Sequence, residues 1–120
     1  MARHNETGRR GEELAALFLE EKGWTIIERN WRHGRAEVDL IARDGEVLVF
    51  VEVKTSRSDL FGPPEAWVSA RKMKLLTRAA VAFMEQVDHR DEIRFDVVAV
   101  YLPYRGQAEI RHLPDAFFPA

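Results

Sequence analysis

The chain has 120 residues, enough for one domain with one hydrophobic core and little more, and its 46% hydrophobic and 32% charged content is that of a folded protein and excludes a disordered one. It has no cysteine, which excludes disulfides, thiolate zinc sites and thiol nucleophiles, so any metal must be held by carboxylates or histidine. The net charge of −2 carries no overall basic signature, so a nucleic-acid partner would need a local basic footprint.

In chain order, NETGRRGEELAALFLEEKG predicts a first helix, capped by Asn5 or Thr7, with Leu14, Leu17 and Phe18 as its apolar stripe and Gly23 at its end. WTIIERNW (24–31) predicts a strand, followed by a polar turn carrying Arg32, His33 and Arg35. Two more strands, 36–43 and 46–53, are joined by Asp44-Gly45. After Gly62, Pro63 and Pro64 a second helix is expected from the N-cap Ser69 to about Val87. A buried strand (93–102) and an edge strand (108–113) follow, and the ends 1–6 and 114–120 are expected to be flexible. The order αβββαββ, without repeats or linkers, predicts one α/β domain over 1–120 with a mixed sheet and helices packed on it. No apolar run approaches the roughly 20 residues of a membrane span. MARHNETGRR also lacks the apolar segment of a secretory signal, so a cytoplasmic protein with no membrane partner is expected.

The most informative stretch is EVDLIARDGEVLVFVEVK (37–54), an apolar hairpin that carries four charges. A two-residue Asp-Gly loop places Arg43 opposite Glu46, Asp39 opposite Phe50 and Glu37 opposite Glu52. Because strand side chains alternate, Glu37, Asp39, Glu52 and Lys54 then share one face, while Val38, Leu40, Ala42, Val47, Val49, Val51 and Val53 form an apolar face that must be buried. A three-residue loop would shift this register. Carboxylates so placed repel and raise one another's pKa unless a cation lies between them. Mg²⁺ or Mn²⁺, which prefer hard oxygens, would suit Asp39 and Glu52 with a backbone carbonyl such as that of Val53. Beside such an ion, Lys54 could orient or help deprotonate a water, and the chemistry implied is metal-assisted phosphodiester hydrolysis. The plainer alternative is a half-solvated face on which Glu52 pairs with Lys54 or Arg43.

Asp39 followed by Glu52-Val53-Lys54 resembles the PD-(D/E)xK signature of the restriction-endonuclease-like superfamily. More closely, GRRGEELAALFLEEKGWTIIERNWR, EVDLIARDGEVLVFVEVK, FGPPEAWVSARKMKLL and RFDVVAV resemble, in order and spacing, the YraN-type family of uncharacterised bacterial proteins, regarded as predicted endonucleases related to archaeal Holliday-junction resolvases. The resemblance covers residues 8–101 and implies a three-layer fold with a central mixed five-stranded sheet. It further implies Asp39 and Glu52 as metal ligands, Lys54 as the catalytic lysine, Glu12 as a further acidic residue from the first helix, and Glu37 as a support for the ligands. The activity implied is cleavage of DNA, of branched, nicked or single-stranded form, in repair or recombination, by a homodimer if the substrate is a four-way junction. Ala36 stands where the family usually has glycine, and Arg57 sits one place later than the family's basic residue.

Extending the second helix's stripe of Leu76, Ala79, Ala80, Phe83 and Val87 back to position 72 points Lys72 at the sheet, either to cover the core edge with its stem or to bind a phosphate. Arg71, Lys74 and Arg78 beside it, Arg9 and Arg10 near Glu12, and Arg32, His33 and Arg35 are the local basic footprint expected of a nucleic-acid site. Gly8 and Gly11 would let a backbone or a phosphate approach the first helix. The four histidines show no ligand spacing and no glycine-rich loop follows a strand, so no organic cofactor is expected. Trp24, Trp31 and Trp67 are expected in the core, and Asp96 in a buried strand has no catalytic part. A non-catalytic nucleic-acid-binding module and a protein-binding scaffold are the alternative functions; neither needs Asp39, Glu52 and Lys54 together.

Overall fold

The computed structural model describes residues 5–58 and 61–117. The elements are α1 (Glu6–Glu21), β1 (Thr25–His33), β2 (Ala36–Asp44), β3 (Val47–Ser56), α2 (Ala70–Val87), β4 (Ile93–Tyr101) and β5 (Glu109–Leu113), with a short 3₁₀ turn at Pro64–Ala66. They form one sheet of order β1-β2-β3-β4-β5. Only β3 and β4 pair in parallel, and such a pair requires a crossover, which α2 supplies. Successive residues of β3 and β4 point to opposite faces, so each face acquires its own core. Ala15, Ala16 and Leu19 of α1 pack on Leu40, Val49, Val51 and Val98, whereas Leu76, Ala79, Ala80 and Phe83 of α2 pack on Ile41, Leu48, Phe50 and Val97. The result is three layers, with the sheet between two helices, and the order αβββαββ is the one expected.

Both helix starts are fixed by side chains that satisfy otherwise orphaned amides. Asn5 Oδ1, not Thr7, accepts from the Gly8 N–H at 2.7 Å. Ser69 caps α2 by accepting from the Lys72 N–H at 3.1 Å. Leu17 does not lie on the buried stripe of α1: it is 55% exposed, and Gly11, Ala15, Ala16 and Leu19 are buried in its place. The small residues let the helix sit close on the sheet, and a Cβ at Gly11 would overlap the Thr55 side chain of β3. Trp24 and Trp67 are buried, and Trp31 is partly buried, its ring edge-on to Phe83 at 5.2 Å.

The β2–β3 register differs from the expected one. Asp44 pairs with Val47, so the two-residue loop is Gly45-Glu46, and Ile41 pairs with Phe50. Gly45 takes φ +60° while Glu46 keeps a negative φ, the arrangement of a hairpin turn with glycine at its first central position. Asp44 therefore stays in the strand, where its carboxylate lies 3.6 Å from Arg94. Each expected pairing moves by two residues in sum, which preserves the faces of Ile41, Leu48 and Phe50. Val38 is an exception, since it joins the core of Ile41 and not that of Leu40. The β1–β2 register shifts between Ile26 and Glu28, and Asn30, between the pairs Arg29↔Leu40 and Trp31↔Val38, takes φ +52°. At the ends of the described chain, Asn5 caps α1, the Ala116 N–H bonds the Phe95 carbonyl at 2.7 Å, and Phe117 stacks on Phe95 at 4.8 Å. Residues 1–4 and 118–120 lie outside the described residues.

Candidate active site

One step beyond the pair Leu40↔Val51, the corrected register brings Asp39 opposite Glu52, where the sequence reading had placed Glu37. The hydrogen-bonded ladder gives way there to a side-chain contact, in which Asp39 Oδ2 accepts the Val53 N–H at 2.8 Å. Asp39 is 8% exposed and the Glu52 side chain 16%. Two carboxyls this near and this buried cannot both ionise cheaply. Burial first, and then the charge of Asp39, push Glu52 up to about 8, although Lys72 works in the opposite direction. Burial likewise raises Asp39 above its ordinary value, against the Val53 hydrogen bond and Lys72. Glu52 Oε2 lies 3.4 Å from Lys72 Nζ, while Glu52 Oε1 is sealed from the surface without a hydrogen-bond partner. A buried acceptor left without a donor is costly and calls for an explanation.

The lysine against the pair is thus Lys72, reaching from the first turn of α2, and neither Lys54 nor Arg43 is the partner of Glu52. Lys54 follows two residues after Glu52 on the same face, beside Ala99 of β4, and has no hydrogen bond or ion pair among the described residues. Glu37 does not face Glu52; its carboxylate lies 3.5 Å from Arg32, and its charge adds to the rise in the Asp39 pKa. Glu12 is partly buried on α1, next to Gly11 and its contact with Thr55, on the helix that covers the other face of the sheet. Among the described residues no three Asp, Glu or His side chains form a metal-holding group, so Glu12 and Glu37 do not join the pair in one.

The basic residues fall into two groups. Arg71, Lys74 and Arg78 of α2 and Arg35 of the β1–β2 turn line one depression of about 380 Å³. Arg9 and Arg10 lie on α1, with Arg10 3.8 Å from Glu13. No sequence pattern signals the Asp39–Val53 contact, because it joins a side chain to a backbone amide across the gap between two strands.

An α/β protein with an open mixed sheet, bearing a buried carboxyl pair at the β2–β3 junction with a lysine against it, is the class that these features define. The chain belongs to the Uncharacterised protein family UPF0102, whose model matches residues 11–100. Similar proteins include the UPF0102 protein FP2501 of Flavobacterium psychrophilum, 44% identical over 98% of each chain. A UPF0102 protein of Bacteroides thetaiotaomicron is 43% identical over 99% of this chain and 98% of its own, and one of Rhodococcus opacus is 45% identical over 98% and 100%. Among solved structures, that of Pyrococcus furiosus SfsA in complex with Ca²⁺ covers 85% of this chain and 59% of its own, with 16% identity and a TM-score of 0.37, a likeness too distant to argue from. No helix among the described residues is long and apolar enough to cross a membrane.

Proposed function

We propose that this chain is a metal-dependent nuclease of the PD-(D/E)xK type that hydrolyses phosphodiester bonds in DNA. The observation that carries the reading is the buried Asp39–Glu52 pair, with a lysine against one Glu52 oxygen and no hydrogen-bond partner for the other among the described residues. That donor set fits Mg²⁺ or Mn²⁺, since it offers hard oxygens whose mutual repulsion a dication would relieve. Asp39 and Glu52 would hold the ion, the Val53 carbonyl would add an oxygen, and water would supply the rest. When bound, the ion polarises the phosphodiester and stabilises the leaving oxygen.

The chain's own residues position and neutralise. The Val53 N–H fixes the Asp39 carboxylate. Lys72, beside Glu52, offsets negative charge that builds on the phosphoryl group, and Lys54, whose side chain has no partner among the described residues, orients the attacking water. Glu37, steadied by Arg32, supports Asp39 from behind. The substrate class is branched, nicked or single-stranded DNA in cytoplasmic repair or recombination, with a homodimer on four-way junctions.

The test is incubation of the purified chain with labelled four-way-junction, flap, single-stranded and duplex DNA, and RNA, in Mg²⁺ or Mn²⁺, beside folded Asp39→Ala, Lys54→Ala and Lys72→Met variants. Wild-type cleavage should fall by about a hundredfold or more in each variant, and Mn²⁺ should raise the melting temperature of the wild type but not of Asp39→Ala. Cleavage that persists in Asp39→Ala would belong to a contaminant. No cleavage together with no Mn²⁺ shift would turn the reading to an accessory nucleic-acid-binding module or a protein scaffold.

A further inference from the structure

Most arginines for which the structure gives a polar partner face a carboxylate, as an acidic chain allows: Arg32 lies 3.5 Å from Glu37, Arg90 3.1 Å from Asp88 and Arg94 2.8 Å from Asp96. Arg35, Arg71, Lys74 and Arg78 depart from this. All four are exposed, none has a side-chain hydrogen bond or ion pair among the described residues, and all four line the same depression of about 380 Å³, whose lining among the described residues holds no acidic side chain. Four like charges around one hollow repel each other, and an anion in the hollow would remove that repulsion.

The shape of the hollow narrows the choice of anion. It lies between the β1–β2 turn and α2, and its apolar lining is Ala70 and Leu75. Two further depressions, of about 240 and 410 Å³, adjoin it through Arg78, and His33 lines both of them. The His33 ring lies parallel to that of Trp31, at 6.3 Å and 6°. Arg71, Lys74 and Arg78 follow one stripe of α2 at i, i+3 and i+7, a rise of about 10 Å, and the stripe starts one residue from Lys72, which touches Glu52. A run of open depressions with cations along one wall, some apolar lining, Glu85 at the far end and a flat ring at the rim combines the features that hold an unpaired strand. An unpaired strand can lay its bases on the ring and the apolar lining, whereas a duplex keeps its bases stacked inside and a membrane surface offers none.

We propose that this slot is the track for one single-stranded segment of nucleic acid, with Arg35, Arg71, Lys74 and Arg78 on its phosphates, leading the strand to the Asp39–Glu52 pair. The proposal takes its partner's class from the nuclease reading above, but the binding it describes needs neither metal nor cleavage.

The experiment measures binding of a fluorescent oligothymidine, of the same length of duplex, and of vesicles containing phosphatidylglycerol, all in EDTA, by wild type, Arg71→Ala/Arg78→Ala and a control of equal charge, Arg43→Ala/Arg90→Ala. The wild type should bind the single strand more tightly than the duplex. The slot variant should bind it about tenfold or more weakly, with a salt dependence shallower by about 1.4 in log–log slope. The control should match the wild type in both respects. Equal affinity of the slot variant and the control, a preference for duplex, or vesicle binding in place of strand binding would each overturn the track. If the wild type cleaves DNA and the slot variant binds normally, the track fails and the nuclease reading stands. Strand binding lost in the slot variant, without cleavage in any metal, sustains the track and removes the nuclease.

Discussion

Asp96→Asn is expected to destabilise the protein by about 3–5 kcal/mol, the cost of breaking a buried ion pair from one side. The Asp96 side chain is fully buried in β4 and accepts four hydrogen bonds: from Arg94 at 2.8 and 3.1 Å, from His112 Nε2 at 2.7 Å and from the Asp115 N–H at 2.9 Å. Lys22 Nζ lies 3.1 Å from the other ring nitrogen of His112, so with Lys22 donating there, Nε2 carries the proton that Asp96 accepts. One carboxylate thereby joins β4, β5, the end of α1 and the turn at Asp115. Asparagine has one acceptor oxygen and would point N–H groups at donors, leaving the Arg94 charge, 20% exposed, with only the longer pair to Asp44 at 3.6 Å. Against a total stability of about 5–15 kcal/mol, this is a large fraction. Urea unfolding at pH 7 measures it, and a loss under about 1 kcal/mol would show that the network is not the tie described here. The sign of the pH effect follows. Burial pulls the carboxyl up, but the bonds from His112, Arg94 and Asp115 outweigh burial and hold it below its ordinary 3.8. The unfolded chain then binds more protons in acid, so the contribution is present above about pH 4 and lost as pH falls through the folded value. Asp96→Asn should flatten that acid limb.

Glu52→Gln should act in the opposite sense, stabilising the metal-free protein at alkaline pH while changing little below about pH 4.5. Folded Glu52 keeps its proton to about 8, whereas the unfolded chain releases it near 4.5. Between those values the folded state binds more protons, so wild-type stability falls as pH rises and the loss is complete above about pH 8. Glutamine reproduces the neutral carboxyl at every pH, and a gain on the order of 2–4 kcal/mol is expected at pH 9. Melting temperatures of both proteins in EDTA from pH 4 to pH 9 check this. Parallel profiles would mean that Glu52 is not the group that titrates. In Mn²⁺ the wild-type alkaline loss should shrink, because a dication would occupy the place of the proton, and Glu52→Gln should show no such response.

Two kinds of information are separable in this chain. The sequence by itself determined the element order, the Ser69 cap of α2, the hairpin and the face of the sheet that carries Asp39 and Glu52. These depend on local chemistry and on the two-residue period of a strand, and that period survived a turn shifted from Asp44-Gly45 to Gly45-Glu46 because the shift moved the pairing by an even number. The apolar stripe of α2 likewise pointed Lys72 inward, since helical spacing is local too. The tertiary structure alone decided which carboxylates meet. The same shift put Asp39 in place of Glu37 opposite Glu52, and left Glu37 to Arg32. It also decided that Lys72 and not Lys54 touches Glu52, because the crossover between the parallel strands β3 and β4 sets where α2 begins over the sheet. The tie from Asp96 to His112 spans sixteen residues and that from His112 to Lys22 spans ninety, and the basic slot joins a strand turn to a helix. No periodicity encodes such contacts, which exist only once the sheet has closed and both helices have packed.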